Sequence, residues 1–351
     1  MNVLLSDLKS AVNNAARNVS SRSTIPVLHN IFLMWTGDEL KVAGTNLDRF
    51  YLTRVEGKDG EPFAITVPAK TMVDIVNSLA ADTVSLEYDP KTVKLHIDGG
   101  ATFDINGIDA QDYPPLPNPL VDAIQVDGAV LVEAVRQVSF AASTDEARPV
   151  MLGVHWKDGY MAATDGFRIA RVKAPEGIEA LVPASSWVEA VKHYAGAVHI
   201  QARNGQLAMD DGDTLFASQL IEGNFPDYKA IIPKSFKHVV RFTRSELLAA
   251  IKRLTVIARD GSNIVSITFD GLDVVFSTSA EGTGHAEETV PHKTDDEQAW
   301  TINFNINFLR QAVEASQGEV YLRLNEAVTP AQIDYGKPDE WLTVIMPMHK
   351  G

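Results

Sequence analysis

Six stretches of the chain carry apolar residues three and four positions apart, and the segments between them alternate apolar with polar. The first rhythm predicts helices over 6–20, 69–80, 128–142, 184–195, 244–259 and 304–316. Leu8, Val12 and Val19 mark the first; Leu131, Val135 and Val138 the third; Leu247, Ile251 and Leu254 the fifth. The second rhythm predicts strands such as Val93-Lys94-Leu95-His96-Ile97 and Val320-Tyr321-Leu322-Arg323-Leu324, with hairpin signals at Gly37-Asp38, Asp158-Gly159 and Asp270-Gly271.

These elements repeat. Val67-Pro68-Ala69 and Val182-Pro183-Ala184 lie 115 residues apart, as do Tyr113 and Tyr228, each in a proline-rich Asp-Tyr segment. Gly44-Thr45-Asn46-Leu47-Asp48 and Ala163-Thr164-Asp165-Gly166-Phe167 occupy matching places, and a fainter third copy has its second helix near Phe304-Asn305. A proline just inside a helix start suits 69–80 and 184–195, because the missing N–H would be unpaired there anyway. Each third thus reads as an opening helix, strands, a second helix and more strands, which predicts an α+β protein of three similar domains over 1–118, 119–235 and 236–351. Triplication favours an extended or ring-like scaffold over a single catalytic domain.

The 351 residues include no cysteine, which removes thiol and iron–sulfur chemistry and suits a reducing cytosol. The longest apolar run, Ile31 to Trp35, is far below the roughly 20 residues of a membrane span, and Asp7 and Lys9 interrupt the N-terminal apolar residues before a secretory signal can form. The expectation is a cytoplasmic protein that meets no membrane. A net charge of −15 argues against nucleic acid until its distribution is considered. The predicted helices carry ten basic and six acidic side chains, leaving a body of charge −19. In the first helix Lys9, Asn13 and Arg17 lie opposite Leu8 and Val12. Helices net basic on an acidic body suit loose, sequence-independent contact with a polyanion.

Candidate catalytic chemistry is sparse. No glycine-rich phosphate loop or nucleophile elbow is present, and the nine histidines are scattered. Asp210-Asp211-Gly212-Asp213 and Asp295-Asp296-Glu297 are the only carboxylate runs suggestive of a metal-dependent nucleic-acid enzyme; read as turns they need no metal. Thr164-Asp165-Gly166 likewise reads as a tight turn rather than a nucleophile with its base. A scaffold that does not touch DNA is a further alternative.

Four segments together resemble the bacterial DNA polymerase III β subunit family, the sliding clamps: Ile25-Pro26-Val27-Leu28-His29-Asn30-Ile31, Ala163 to Ala170, Glu222 to Tyr228, and Val344-Ile345-Met346-Pro347-Met348. The resemblance runs from the first helix to the C-terminus. It implies a DNA clamp fold, closed by a head-to-tail homodimer into a ring around duplex DNA. It implies no catalysis, no cofactor and no metal, and as partners the replicative polymerase, a clamp loader, and repair or replication proteins that insert a Leu/Phe-containing peptide between the second and third domains. Carried over by motif, that groove takes Met151, Thr164, Gly166, Phe167, Arg168, Ile169, Ile231, Asn305, Phe308, Val328, Val344, Ile345, Met346, Pro347 and Met348. The expected DNA-contacting residues are Lys9, Arg17, Arg22, Arg136, Lys192, Lys252, Arg253 and Arg310, and the resemblance implies a dimer contact that joins Phe103 to Ile257 and Ala258. The chain departs from the family at Phe167, usually a polar position, at Ala230, usually basic, and in its His349-Lys350-Gly351 ending.

Overall fold

A computed structural model describes residues 1–271, 273–294 and 299–349. Among them are six α-helices, two in each third: α1 (Leu5–Ala16), α2 (Ala69–Ser78), α3 (Gly128–Val138), α4 (Ala184–Ala190), α5 (Arg244–Ala258) and α6 (Ile306–Ala315). Five lie within the predicted stretches and α1 starts one residue before its own, and all six stop earlier than predicted. At the end of α1 the N–H of Asn18 bonds Ala15 O and its amide bonds Asn14 O, so a local side-chain bond competes with another helical turn and Val19 lies beyond the helix. Pro68 and Pro183 sit one place earlier than expected. Each is the last residue of a strand and the N-cap of the helix that follows. In the third copy Asn305 caps α6, its side chain accepting the Asn307 N–H at 2.9 Å.

The chain forms two compact units, one of residues 1–128 and 193–220, the other of residues 129–192 and from 221 on. The first unit holds one antiparallel sheet. Its main path runs Ile124–Asp127, Ala197–Arg203, Gln206–Asp210, Thr214–Gln219, Arg49–Lys58, Asn2–Leu4, Thr83–Asp89, Lys94–Asp98 and Thr102–Asn106. The second unit holds a nine-stranded sheet in which Arg168–Lys173 pairs with Trp341–Ile345, and a four-stranded sheet ending in Gly284–Thr289. The central third therefore contributes strands to both units: 214–219 bonds to 49–58 in one, and 168–173 to 341–345 in the other. The inward faces are apolar, with Trp35, Trp156, Trp187 and Trp341 all fully buried. Trp35, Trp156 and Trp341 each donate the indole N–H to a backbone carbonyl, the arrangement a buried tryptophan needs.

Candidate functional site

The turn between the strands Tyr160–Thr164 and Arg168–Lys173 is built by its own polar side chains. Thr164 Oγ1 donates to Arg168 O at 2.7 Å and accepts the Gly166 N–H at 3.1 Å. Asp165 Oδ1 accepts the N–H groups of Phe167 and Arg168 at 2.9 and 3.0 Å. Gly166 has φ of +92°, a conformation that favours glycine. The result is that Phe167 projects outward, 57% exposed.

The end of the chain lies against this turn. Arg168 and Ile345 are register partners, Met346 donates its N–H to Phe167 O at 2.9 Å, and Met348 donates to Asn303 O at 2.8 Å, so the last residues pass from the ladder onto the strand before α6. Beneath them Ala162, Ile169, Tyr228, Leu342 and Val344 form a buried cluster, with Phe225 and Ile232 against it. Ile231 follows Tyr228 and is exposed, and Val328 is exposed three residues before Ala331, the partner of Ile345.

Arg168 ties three elements together. Only 7% exposed, it pairs through Nε with Asp165 Oδ2 at 3.0 Å, donates to Gln311 of α6 and to the carbonyl of Phe140 after α3, and stacks over the Phe308 ring at 4.3 Å. Burial lowers its pKa, and the Asp165 charge and hydrogen bond oppose that shift. Phe140, Gln311 and Arg148, whose Nη1 donates to Asp165 O at 3.3 Å, were not among the predicted residues. Their role depends on contacts between distant segments.

The fifteen predicted groove residues, all in the second unit, divide by exposure. Gly166, Phe167, Ile231, Val328 and Met346 are exposed; Met151, Asn305, Phe308, Pro347 and Met348 are half-buried. Thr164, Arg168, Ile169, Val344 and Ile345 are buried and shape the surface from below. His155 stacks on Phe225 with ring centroids 4.9 Å apart, and burial lowers its pKa.

The predicted DNA contacts also divide. Arg136 chelates Glu133 and donates to the carbonyls of Glu314 and Ala315 at the end of α6. Lys192 pairs with Glu189 at 2.6 Å, Arg253 with Glu288 at 2.9 Å, and Arg310 with Glu314 at 3.0 Å. The Arg253 bond holds the Glu288 carboxyl below its ordinary range. Among the described residues, Lys9, Arg22 and Lys252 form no ion pair, and Arg17 bonds only the neutral Asn14 side chain. Of the predicted dimer residues, Phe103 is half-buried on the edge strand Thr102–Asn106 and Ile257 is half-buried in α5. Ala258 is 1% exposed, which leaves Ile257 as the member of that pair with accessible surface.

Asp210, Asp211 and Asp213 belong to a turn: Asp210 Oδ1 accepts the Gly212 N–H at 2.8 Å, and Asp211 Oδ1 accepts the N–H groups of Asp213 and Thr214 at 3.1 and 2.8 Å. The run Asp295-Asp296-Glu297 lies outside the described residues, as do Lys350 and Gly351. No helix among the described residues is long and apolar enough to cross a membrane.

Three family models match in order: DNA polymerase III beta subunit, N-terminal domain over residues 2–117, central domain over 125–227 and C-terminal domain over 229–349. The chain is 30% identical over 363 residues to the beta sliding clamp of a Synechocystis species, covering 93% of each. It is 28% identical over 366 residues to that of Bacillus subtilis, covering 97% of each. The crystal structure of the Bacillus subtilis DNA polymerase sliding clamp matches with a TM-score of 0.92 at 27% identity, over 100% of this chain and 99% of that one. A sliding clamp from Bartonella birtlesii bound to griselimycin matches with a TM-score of 0.91 at 26% identity, over 100% and 99%.

Proposed function

The chain belongs to the DNA polymerase III beta subunit family, and from that membership we infer that it is a DNA sliding clamp, a processivity factor that performs no catalysis itself. Two copies, each of three clamp domains (1–118, 119–235 and 236–351), close head to tail around duplex DNA without regard to sequence. They tether the replicative polymerase in the cytoplasm. A clamp loader opens and closes the ring, and repair proteins share the polymerase's docking groove.

The observation that carries this reading is the surface made by Phe167 and Met346. Two apolar side chains, 57% and 38% exposed, are fixed side by side by a backbone hydrogen bond at the end of a ladder. Exposed apolar groups on a rigid frame suit an extended partner peptide with apolar anchors, and a methionine repacks readily around different ones. The acidic run offers a metal-dependent enzyme little, because the carboxylates of Asp210 and Asp211 are engaged in the turn.

The test is retention. Rings loaded onto nicked circular DNA should remain through a gel-filtration column and leave once the circle is cut, and the free protein should elute at twice the 38.3 kDa chain mass. Equal retention on linear and circular DNA would overturn the reading.

A further inference from the structure

The turn-and-tail device of the groove is made twice. In the first unit Thr45 Oγ1 donates to Arg49 O at 2.7 Å and accepts the Leu47 N–H at 3.0 Å, as Thr164 does with Arg168 and Gly166. Asn46 Oδ1 accepts the Arg49 N–H at 2.8 Å, in the place of Asp165. Arg49 pairs with Ser218, and the next residue, Gln219, donates its N–H to Asp48 O at 2.8 Å, matching the bond from Met346 to Phe167. The clusters beneath also correspond: Ala43, Phe50, Tyr113, Leu215 and Ala217 stand for Ala162, Ile169, Tyr228, Leu342 and Val344. A cavity of about 330 Å³ opens here, walled by this turn, the proline-rich segment around Leu116, Gln206 and Gln219.

One residue breaks the correspondence in an informative way. Leu47 has φ of +78° where its counterpart Gly166 has +92°. A leucine is strained in that region and a glycine is not. Its side chain is 52% exposed and lines the cavity, so the strain is not offset by burial in the core. Backbone strain kept for an outward-facing apolar side chain points to a ligand.

We propose that this cavity is a second docking site for the same class of extended, Leu/Phe-anchored peptide, with Leu47 and Leu116 as its apolar contacts and the amides of Gln206 and Gln219 meeting the peptide backbone. The proposal rests on the reading of the Phe167–Met346 surface as the main peptide groove. The second site is the weaker one, by at least tenfold, because Asp48 stands where Phe167 stands and Gln219 where Met346 stands.

The experiment is calorimetry and fluorescence anisotropy of the full-length protein with a synthetic peptide carrying adjacent Leu and Phe. Two sites per chain are expected. Deleting the chain from Met346 should abolish the tight one and spare the weak one. Leu47→Gly should abolish the weak one, spare the tight one, and keep or raise Tm; Leu47→Asn, which also tolerates the turn, should act like Leu47→Gly. One site per chain in the intact protein, or weak binding unchanged by both Leu47 variants, overturns the proposal. Loss of the tight site's dependence on the tail would instead count against the main groove.

Discussion

The guanidinium of Arg168 lies 4.3 Å over the ring of Phe308 while its Nε holds Asp165, so one buried cation fixes both the turn that projects Phe167 and the helix that carries Phe308. Arg168→Met should leave Asp165 without its partner in a site where the two side chains are 7% and 14% exposed. Removing one member of such a pair costs about 3 kcal/mol, read as a lower urea midpoint. Arg168→Lys should recover little of it, because an ammonium cannot reproduce the planar fork that reaches Asp165, Gln311 and Phe140 together. Full recovery by lysine would show that the charge alone matters.

The tail can be tested without disturbing the sheet. The ladder ends at Ile345, and beyond it Met346 and Met348 are held by one backbone hydrogen bond each. Deleting the chain from Met346 should leave the dimer and its retention on circular DNA intact. Burying one Leu or Phe is worth roughly 1.5–3 kcal/mol, so the loss of one wall should weaken a Leu/Phe peptide by about tenfold or more. Anisotropy measures this directly, and unchanged affinity would move the tight site elsewhere.

His155 predicts a pH dependence. Burial against Phe225 lowers its folded-state pKa below the ordinary 6.5, so the unfolded chain binds the proton more readily. The stability it contributes is complete above pH 6.5 and falls as the pH drops through the folded-state value. Phe225 also packs on the cluster of Tyr228, Ile169 and Val344, so acidification should loosen the floor of the groove together with the fold. Urea midpoints between pH 7.5 and 5 should decline less in His155→Gln than in the parent, and parallel declines would exclude His155 as the cause.

Most of the architecture was legible because it repeats: an offset of 115 residues between Pro68 and Pro183 marks two second helices that the structure starts at Ala69 and Ala184. What periodicity does not carry is pairing over long separations. Nothing in the alternation of 214–219 says that it bonds to 49–53, and nothing near Arg253 announces Glu288. The turn at Thr164 was readable from residue type, since Thr, Asp and Gly each favour it for a local reason. Its twin at Thr45 hides its backbone conformation behind a leucine. Burial also escaped the motif, which names Ile257 and Ala258 alike although one is half-buried and the other enclosed.

Ring closure should depend on two sheet ends. Among the described residues, Thr102–Asn106 bonds only to Lys94–Asp98, and Gly284–Thr289 only to Asp273–Ala280, so each unit presents a sheet edge. A head-to-tail pair would bring such edges together, with Phe103 and Ile257 as apolar contacts. Ile257→Arg should yield monomers by sedimentation that are not retained on circular DNA. A variant still dimeric at nanomolar concentration would place the contact elsewhere.

Salt dependence should distinguish free cations from paired ones. A cation that neutralises a phosphate releases a counterion, and each such contact adds about one to the slope of log affinity against log salt. A cation already bound to a carboxylate must first break that pair, so it adds little. Lys9→Ala and Arg22→Ala should therefore each lower the slope for linear duplex by about one. Arg136→Ala should barely move it but should lower Tm, because this guanidinium bonds the last-turn carbonyls of Glu314 and Ala315 at the end of α6. Glu314→Gln releases Arg310 from its pair and should raise the slope instead. Loaded rings on closed circles should respond to salt far less than linear binding does in every variant, since topology holds them. Filter binding across a salt series, beside column retention of loaded circles, measures both quantities; a slope that fell as much for Arg136→Ala as for Lys9→Ala would show that the carboxylates do not mask the pore.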